Sequence, residues 1–307
     1  MKWTPKGRSR NVEDRRGERP PRRGFPFPMG GGGLGGGRGR APKISLSGIL
    51  LMLGLMWLLG INPLQLLGGL AGGGAPPGLP PSVQVESSRQ RSELPPVASS
   101  PKEDEMIQFV SFVLDDAQQV WSQKLSNYPE AKLVVFRGVT ETGCGFGQAA
   151  MGPFYCPRDQ KVYIDLAFYD ELRRRFGAPG DMAQAYVLAH EIGHHVQRVM
   201  GTEQQVRDAQ RRDPRNQNEY SIRLELQADC YAGVWAHSTS QRDLLEAGDV
   251  EEAMRAAAAV GDDQIQKMST GHVAPEQWTH GSSEMRMQWF ERGFRSGNPR
   301  DCDSFGS

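Results

Sequence analysis

The chain has 307 residues with 36 basic and 36 acidic side chains, so its formal net charge is zero. This length allows one or two domains with a sizeable core, and the neutral total excludes a uniformly basic or acidic protein. The charges are unevenly distributed. Residues 1–43 carry twelve Lys/Arg against three Asp/Glu, whereas residues 44–307 carry 24 against 33. We therefore expect the two parts to meet different surroundings.

Residues 1–43 are rich in Gly, Pro and Arg and cannot bury enough apolar surface to fold alone. The prediction is a disordered basic arm that stays in the cytoplasm and touches anionic lipid headgroups. Nucleic-acid binding is not expected, because a basic cluster without an aromatic platform is weak evidence for it.

An apolar segment follows the arm. Residues Ile44–Ile61 contain no charge in eighteen positions, and the next charged residue is Glu86. As a helix, this segment would span roughly 27 Å, close to the thickness of the bilayer hydrocarbon. We predict that residues 44–62 anchor the chain in the lipid bilayer of the inner membrane as a single pass. A cleaved signal peptide is the competing interpretation, but its basic region would be over forty residues long.

The positive-inside rule assigns the basic arm to the cytoplasm, which places everything after about residue 65 in the periplasm or outside the cell. Residues 63–101 read as a linker of Gly, Pro and Ser, and residues 102–307 as a folded domain. Apolar periodicity, strand-like runs and capping residues predict the following elements in chain order: a helix from about 104 to 126, strands at 131–136 and 161–166, and helices at 181–200, 218–236, 249–268 and 282–294. Few strands followed by helices indicate an α+β domain.

The predicted helix 181–200 contains the sequence VLAHEIGHHVQ, which holds three of the six histidines of the chain. His190 and His194 are four residues apart, so both side chains lie on one helix face and can bind one zinc ion. Glu191 lies about 100° further around the helix, where it can take a proton from a water molecule at the metal. We expect His195 to point elsewhere, as a supporting or surface residue.

A zinc hydrolase needs a third protein ligand and one position left for water. The metzincin extension is excluded, because position 200 is Met where that pattern requires His. The predicted helix 218–236 carries Glu225 and Asp229 among apolar residues, and buried carboxylates need partners. Glu225 is therefore the candidate third ligand, and Asp229 the candidate acceptor for the outer N–H of His190. An exposed acidic pair is the alternative interpretation.

A family resemblance is carried by HEIGHHVQ, the later ELQADCYAGVWA and the blocks NVEDRRG and GPFYCPRDQKVYIDLAFYDEL. The chain resembles the neutral zinc metallopeptidases of bacteria. The resemblance extends over most of the chain. It implies a zincin-like α+β fold, in which a short β-sheet accompanies the HExxH helix and further helices after a single transmembrane helix. It also implies one zinc ion and peptide or protein substrates, with Glu225 as a gluzincin-type ligand.

The resemblance also implies a mechanism, in which metal-activated water hydrolyses the peptide bond with Glu191 as the general base. This mechanism needs a hydrogen-bond donor, besides zinc, for the oxyanion that develops on the substrate. His280 is the first candidate, His237 the second and Tyr231 the third. We expect an edge strand at 161–166 to hold an extended substrate by strand addition.

The four cysteines are Cys144, Cys156, Cys230 and Cys302, all after the predicted anchor. An even number in an oxidising compartment predicts two disulfides, for which three pairings exist. One pairing closes a short loop from 144 to 156 and ties the C-terminal tail to the metal-site helix through 230 and 302. Two buried and two free thiols are the alternative.

The principal hypothesis is a membrane-anchored zinc metallopeptidase whose domain lies outside the cytoplasm. The competing hypothesis is an inactive, peptidase-like scaffold that binds envelope proteins or peptides. An intact set of His190, Glu191, His194 and Glu225 argues against the scaffold, because a binding module does not need a general base.

Overall fold

A mixed sheet and the helices packed on it carry the candidate site in this computed structural model, which describes residues 1–18, 100–148, 152–175 and 180–306. The strands are β1 (Val12–Asp14), β2 (Lys132–Phe136), β3 (Val139–Thr142), β4 (Gly145–Gln148), β5 (Phe154–Cys156) and β6 (Lys161–Asp165). The α-helices are α1 (Pro101–Lys124), α2 (Ala167–Arg175), α3 (Asp181–Met200), α4 (Thr202–Arg212), α5 (Gln217–Ser240), α6 (Asp249–Ala259), α7 (Asp262–Thr270) and α8 (Ser283–Ser296). The predicted α+β class is confirmed.

The main sheet has the strand order β1-β2-β6-β5. β1, β2 and β6 run parallel, and β5 returns antiparallel to β6 as a hairpin. The β-branched run of β2 and the core of β6 are buried on both faces, as expected for parallel strands covered on both sides. β6 therefore lies inside the sheet, and the predicted edge strand at 161–166 is wrong: the edge beside it is β5.

Local sequence explains where the helices begin. α1 starts with a capping box, in which Ser100 accepts from the Glu103 amide while the Glu103 carboxylate accepts from the Ser100 amide. Its buried face includes Val110, Val113 and Trp121. α3 and α5 lie at 181–200 and 217–240, close to the predicted ranges.

The predicted single helix at 249–268 is wrong, because the structure divides it into α6 and α7. The break falls at Gly261, whose backbone runs so close to α8 that a Cβ there would lie 2.4 Å from the Ser283 nitrogen. No side chain fits at that crossing, and the chain turns instead of continuing the helix. This break sets α7 as a separate helix with its N-terminus near the start of α8.

Residues 1–18 form part of this domain, so the prediction of a disordered arm is wrong for them. Val12 of β1 pairs with Leu133 of β2, and the Glu13 carboxylate accepts hydrogen bonds from Lys161 at 2.9 and 3.0 Å. Trp3 packs edge-on against Phe109 with 5.3 Å between ring centroids. The composition of residues 1–43 excludes folding alone, but β1 does not fold alone: it pairs with β2, and Val12 packs in the core of the domain.

The Met1 ammonium group is also buried, 2.6 Å from the Asp181 carboxylate at the start of α3 and 3.3 Å from that of Asp249. A fragment beginning near residue 102 would lose these ion pairs. It would also lack β1, which would leave the edge of β2 unpaired.

The predicted anchor at 44–62 and most of the predicted linker lie outside the described residues. Among the helices of the described ranges, none combines the length and apolar character that crossing a bilayer requires.

Both cysteine pairs are within bonding geometry. Cys144 is joined to Cys156, which ties the β3–β4 hairpin to β5, and Cys230 of α5 is joined to Cys302 near the C-terminus. The prediction of two disulfides is confirmed. Of the three pairings that four cysteines allow, the structure has Cys144–Cys156 with Cys230–Cys302.

Candidate metal centre

The close approach of α3 and α5 creates the candidate site. Gly193 lies between Glu191 and His194, and a Cβ at this position would be only 2.9 Å from the Ala228 carbonyl oxygen. Glycine therefore lets the two backbones come near enough for Glu225 of α5 to reach the histidines of α3.

His190, His194 and Glu225 are the three residues that the sequence proposed as metal ligands, and the structure brings them together. Their ligand atoms all lie within 4.8 Å of one another. His190 Nε2 is 3.1 Å from one Glu225 oxygen, and His194 Nε2 is 3.5 Å from the other. Ligand atoms of a tetrahedral zinc site are about 3.3 Å apart when each bond is about 2.05 Å. The donor set and its spacing therefore fit one zinc ion.

Charges in this buried cluster shift its pKa values in opposite directions. Burial alone would lower the pKa of His190, but Asp229 and Glu225 outweigh it and raise that pKa to about 9. Burial would raise the pKa of Glu225, but His194 and His190 hold it well below its ordinary value. Without a metal, these shifts favour protonated imidazoles at His190 and His194 and an ionised carboxylate at Glu225.

Glu191 is 7% exposed and follows His190 on the same helix. Burial raises the pKa of its carboxyl, with a further contribution from Glu225, although His194 and His190 act in the opposite direction. A carboxylate with a raised pKa takes up a proton more readily, as a general base must.

Asp229 is fully buried, and its Oδ1 lies 2.8 Å from His190 Nδ1. Accepting the Nδ1 proton leaves Nε2 directed at Glu225, which is the orientation a metal ligand needs. Asp229 therefore has the position that the sequence proposed for it.

The outer partner of His194 was missed by the sequence reasoning. Gln197 is 0% exposed, and its Oε1 lies 2.9 Å from His194 Nδ1. Gln197 Nε2 in turn donates to the Leu224 carbonyl on α5 at 2.6 Å. Its place three residues after His194 on the same helix is the signal that could have found it.

Arg286 and Tyr186 were also missed. Tyr186 lies one helical turn before His190 and donates to Asp229 at 2.5 Å. Arg286 of α8 is 3% exposed and contacts both Asp229 oxygens. A buried arginine leaves no sequence signature when its partner is distant along the chain.

His280 precedes α8 and is half exposed, with Nδ1 3.2 Å from Asp262. The other Asp262 oxygen accepts backbone N–H bonds from Thr279 and His280 at 2.7 Å each and from Gly281 at 3.1 Å, which fixes this turn. The hydrogen bond to Asp262 raises the pKa of His280, against the effect of burial, and the Glu225 charge contributes in the same direction.

The other two candidate donors have partners elsewhere. His237 bonds through Nδ1 to the Phe294 carbonyl at 2.7 Å, and the Tyr231 hydroxyl donates to Met200 sulfur at 3.4 Å. His195 is 0% exposed between Tyr155 of β5 and the Pro129 carbonyl, so it supports the structure from the interior.

A second group of carboxylates, Asp181, Asp249 and Glu252, is also close enough to hold an ion within the described residues. The Met1 ammonium contacts two of its members, Asp181 and Asp249, so a cation already balances part of this charge.

Comparison with known proteins agrees with the geometry. A family described as "putative neutral zinc metallopeptidase" matches residues 1–305, a range that includes β1. "Uncharacterized protein YpfJ" of Escherichia coli K12 is 44% identical over 311 residues, covering 100% of this chain and 99% of that protein. "Uncharacterized protein Mb2605" of Mycobacterium bovis is 42% identical over 197 residues, covering 61% of this chain and 66% of that protein. No solved structure matches the chain. The chain therefore belongs to this neutral zinc metallopeptidase family.

Proposed function

We propose that this protein hydrolyses peptide bonds with one zinc ion held by His190, His194 and Glu225. The observation that carries the proposal is the convergence of these three ligand atoms within 4.8 Å. The buried Glu191 carboxylate on the same helix supplies the base that a binding site alone would not need.

When bound, zinc would lower the pKa of a water molecule and polarise the scissile carbonyl. Glu191 takes the proton of the attacking water and passes it to the leaving amine. Asp229 and Gln197 keep the imidazoles of His190 and His194 oriented throughout.

His280 is proposed to donate a hydrogen bond to the developing oxyanion. We assign a proton to Nδ1, which lies 3.2 Å from the Asp262 carboxylate and 3.0 Å from the Thr279 hydroxyl; with that proton in place, Nε2 can donate only when the ring is an imidazolium. The edge strand β5 is the proposed place for strand addition of an extended substrate, because Tyr155 bonds it to His195 on the metal-site helix at 2.9 Å.

The direct test is cleavage of a mixed peptide library by the full chain, followed by mass spectrometry. We expect cleavage by the zinc-loaded protein and none after chelation or in a His190→Ala, His194→Ala variant, which should also lose stoichiometric zinc. Zinc bound at these residues without cleavage of any peptide would favour the scaffold hypothesis instead.

The role of His280 predicts a particular pH dependence. Asp262 raises the pKa of His280, so the loss of activity on the basic side should begin only as pH rises through this elevated value. Asp262→Asn removes the charge that stabilises the imidazolium, and the basic limb of kcat/KM should move to lower pH. A basic limb that stays in place in Asp262→Asn and in His280→Gln would exclude His280 as the donor.

We also propose a location. The pairing of β1 with β2 requires residues 1–18 and the domain to lie on the same side of a membrane. A single crossing at 44–62 would separate these strands, so this pairing and the predicted single-pass topology exclude each other in one chain. We propose that both parts lie outside the cytoplasm, where an oxidising environment maintains the two disulfides.

Labelling tests this location. Single cysteines introduced at exposed Lys6 and at exposed Arg211 should react equally with a membrane-impermeant maleimide on intact spheroplasts. Labelling at Arg211→Cys but not at Lys6→Cys, with both labelled after lysis, would restore the single-pass arrangement.

A further inference from the structure

We infer that Arg286 is a positioning residue for the metal centre: it holds Asp229 in the orientation that directs His190 at the metal. This inference rests on the proposed function, since it concerns the same site. Arg286 belongs to α8, a helix that supplies none of the three candidate ligands.

The carboxylate of Asp229 is 0% exposed and accepts hydrogen bonds from three side chains. The four contacts are Tyr186 Oη at 2.5 Å, His190 Nδ1 at 2.8 Å and Arg286 Nη2 at 3.0 Å on Oδ1, and Arg286 Nε at 2.8 Å on Oδ2. Arg286 is the side chain that bonds both oxygens, so it fixes the rotation of the carboxylate.

Besides its contacts with Asp229, the Arg286 side chain is held by a backbone carbonyl group. Its Nη1 donates to the carbonyl oxygen of Val260, the residue that caps the C-terminus of α6, at 3.1 Å. The guanidinium is thus clamped between a carboxylate and a helix-terminal carbonyl, where a cation is favoured. Such a guanidinium has little freedom to move and can act as a fixed template for Asp229.

Helix docking places the arginine at this depth. Gly293, about two turns further along α8, comes so close to α5 that a Cβ there would lie 1.9 Å from the Cys230 carbonyl oxygen. Because Cys230 follows Asp229 directly on α5, this close approach of the two backbones brings α8, and with it Arg286, near the Asp229 carboxylate.

The two candidate histidine ligands are supported differently. His194 has a neutral partner, Gln197, which the Leu224 carbonyl and the Gln227 side chain hold in place. His190 has an anionic partner, whose burial requires a compensating cation. Removing Arg286 leaves Asp229 with two donors on one oxygen, and the carboxylate can then rotate away from His190 Nδ1.

A purely structural ion pair would lower stability without changing the metal centre, so the test must separate these effects. The full chain is prepared as Arg286→Gln, Arg286→Lys, Asp229→Asn and the Arg286→Gln, Asp229→Asn double variant. Arg242→Gln is the matched control, because Arg242 also pairs with a buried carboxylate, Asp116, but lies beyond the C-terminal end of α5, nearly five helical turns from Glu225. Chelator competition measures the zinc dissociation constant. The absorption spectrum is recorded with Co²⁺ in place of zinc, and thermal unfolding of the metal-free protein measures stability.

We expect Arg286→Gln to weaken zinc binding roughly 10- to 100-fold, as for other losses of an outer partner, and to change the Co²⁺ spectrum. Arg286→Lys keeps the charge but not the two-oxygen contact, so it should fold and show a smaller change in the same direction. In the Asp229→Asn background, Arg286→Gln should add less than about threefold, because both act through one carboxylate. Arg242→Gln should lower the unfolding temperature and leave zinc affinity unchanged.

The inference is overturned if Arg286→Gln, or Arg286→Lys where the first variant does not fold, behaves like Arg242→Gln with unchanged zinc affinity and Co²⁺ spectrum. Full additivity of the two substitutions would also overturn it. Failure of the proposed function gives a different result: zinc bound without peptide cleavage leaves this affinity test unaffected, whereas an unaltered chain that binds no zinc at His190, His194 and Glu225 would overturn both proposals.

Discussion

Glu191→Gln should retain zinc and lose peptide hydrolysis by about 10²- to 10⁴-fold, the usual contribution of a positioned general base. The amide has nearly the shape of the carboxylate, so the α3 backbone and the two histidines should stay in place. It has no basic oxygen that can take a proton from water, and the loss should therefore appear in kcat with little change in the zinc dissociation constant.

Glu225→Gln is the matched comparison, because it is the same substitution on the facing helix. Here the anionic oxygens lie 3.1 and 3.5 Å from the two imidazoles, so we expect loss of zinc affinity and of activity together. Metal analysis after dialysis and cleavage assays at saturating zinc distinguish the two results. If Glu191→Gln cleaved peptides at the normal rate, Glu191 would not be the base, whatever its zinc content.

The sequence was sufficient for the parts of this site that depend on local geometry. The spacing of His190 and His194 follows from the helix repeat, and the Glu225–Asp229 pair was found because acids on an apolar helix need partners. The limits of α3 and the start of α5 were likewise predictable from their apolar periodicity and from Gly201 at the end of α3, whereas α5 continues four residues past the predicted end at 236.

Long-range contacts were not predictable from the sequence. Arg286 meets Asp229 from 57 residues away, and β1 pairs with a strand more than 100 positions later. A polar VED strand has no hydrophobic alternation to mark it, and its place is set by backbone hydrogen bonds to β2. The break between α6 and α7 was missed because the crossing of Gly261 with Ser283 depends on tertiary packing.

Zinc affinity should fall steeply with acidification, beginning at a higher pH than for an isolated histidine. In the metal-free site, burial acts to lower the pKa of His190, but Asp229 and Glu225 raise it to about 9. The pKa of His194 is also raised, because Glu225 outweighs the effect of its burial. A metal ligand must be unprotonated, so below about pH 9 zinc has to displace a proton from His190.

Well below the pKa, the expected result is a decrease in apparent affinity of about tenfold per pH unit for each displaced proton. Because His190 is half protonated at pH 9, this amounts to roughly 50-fold between pH 9 and pH 7 from His190 alone. For the metal-free protein, the His190 contribution to stability has the opposite dependence. It is fully present below the unfolded pKa of about 6.5 and is lost as pH rises through about 9, because the folded state then releases a proton that its carboxylates had stabilised. Chelator competition across this range, with calorimetry in two buffers of different ionisation enthalpy, measures both the affinity and the protons released. A zinc affinity that stayed constant between pH 7 and pH 9 would show that His190 Nε2 carries no proton in the metal-free site, and that the pairing with Asp229 does not govern metal binding.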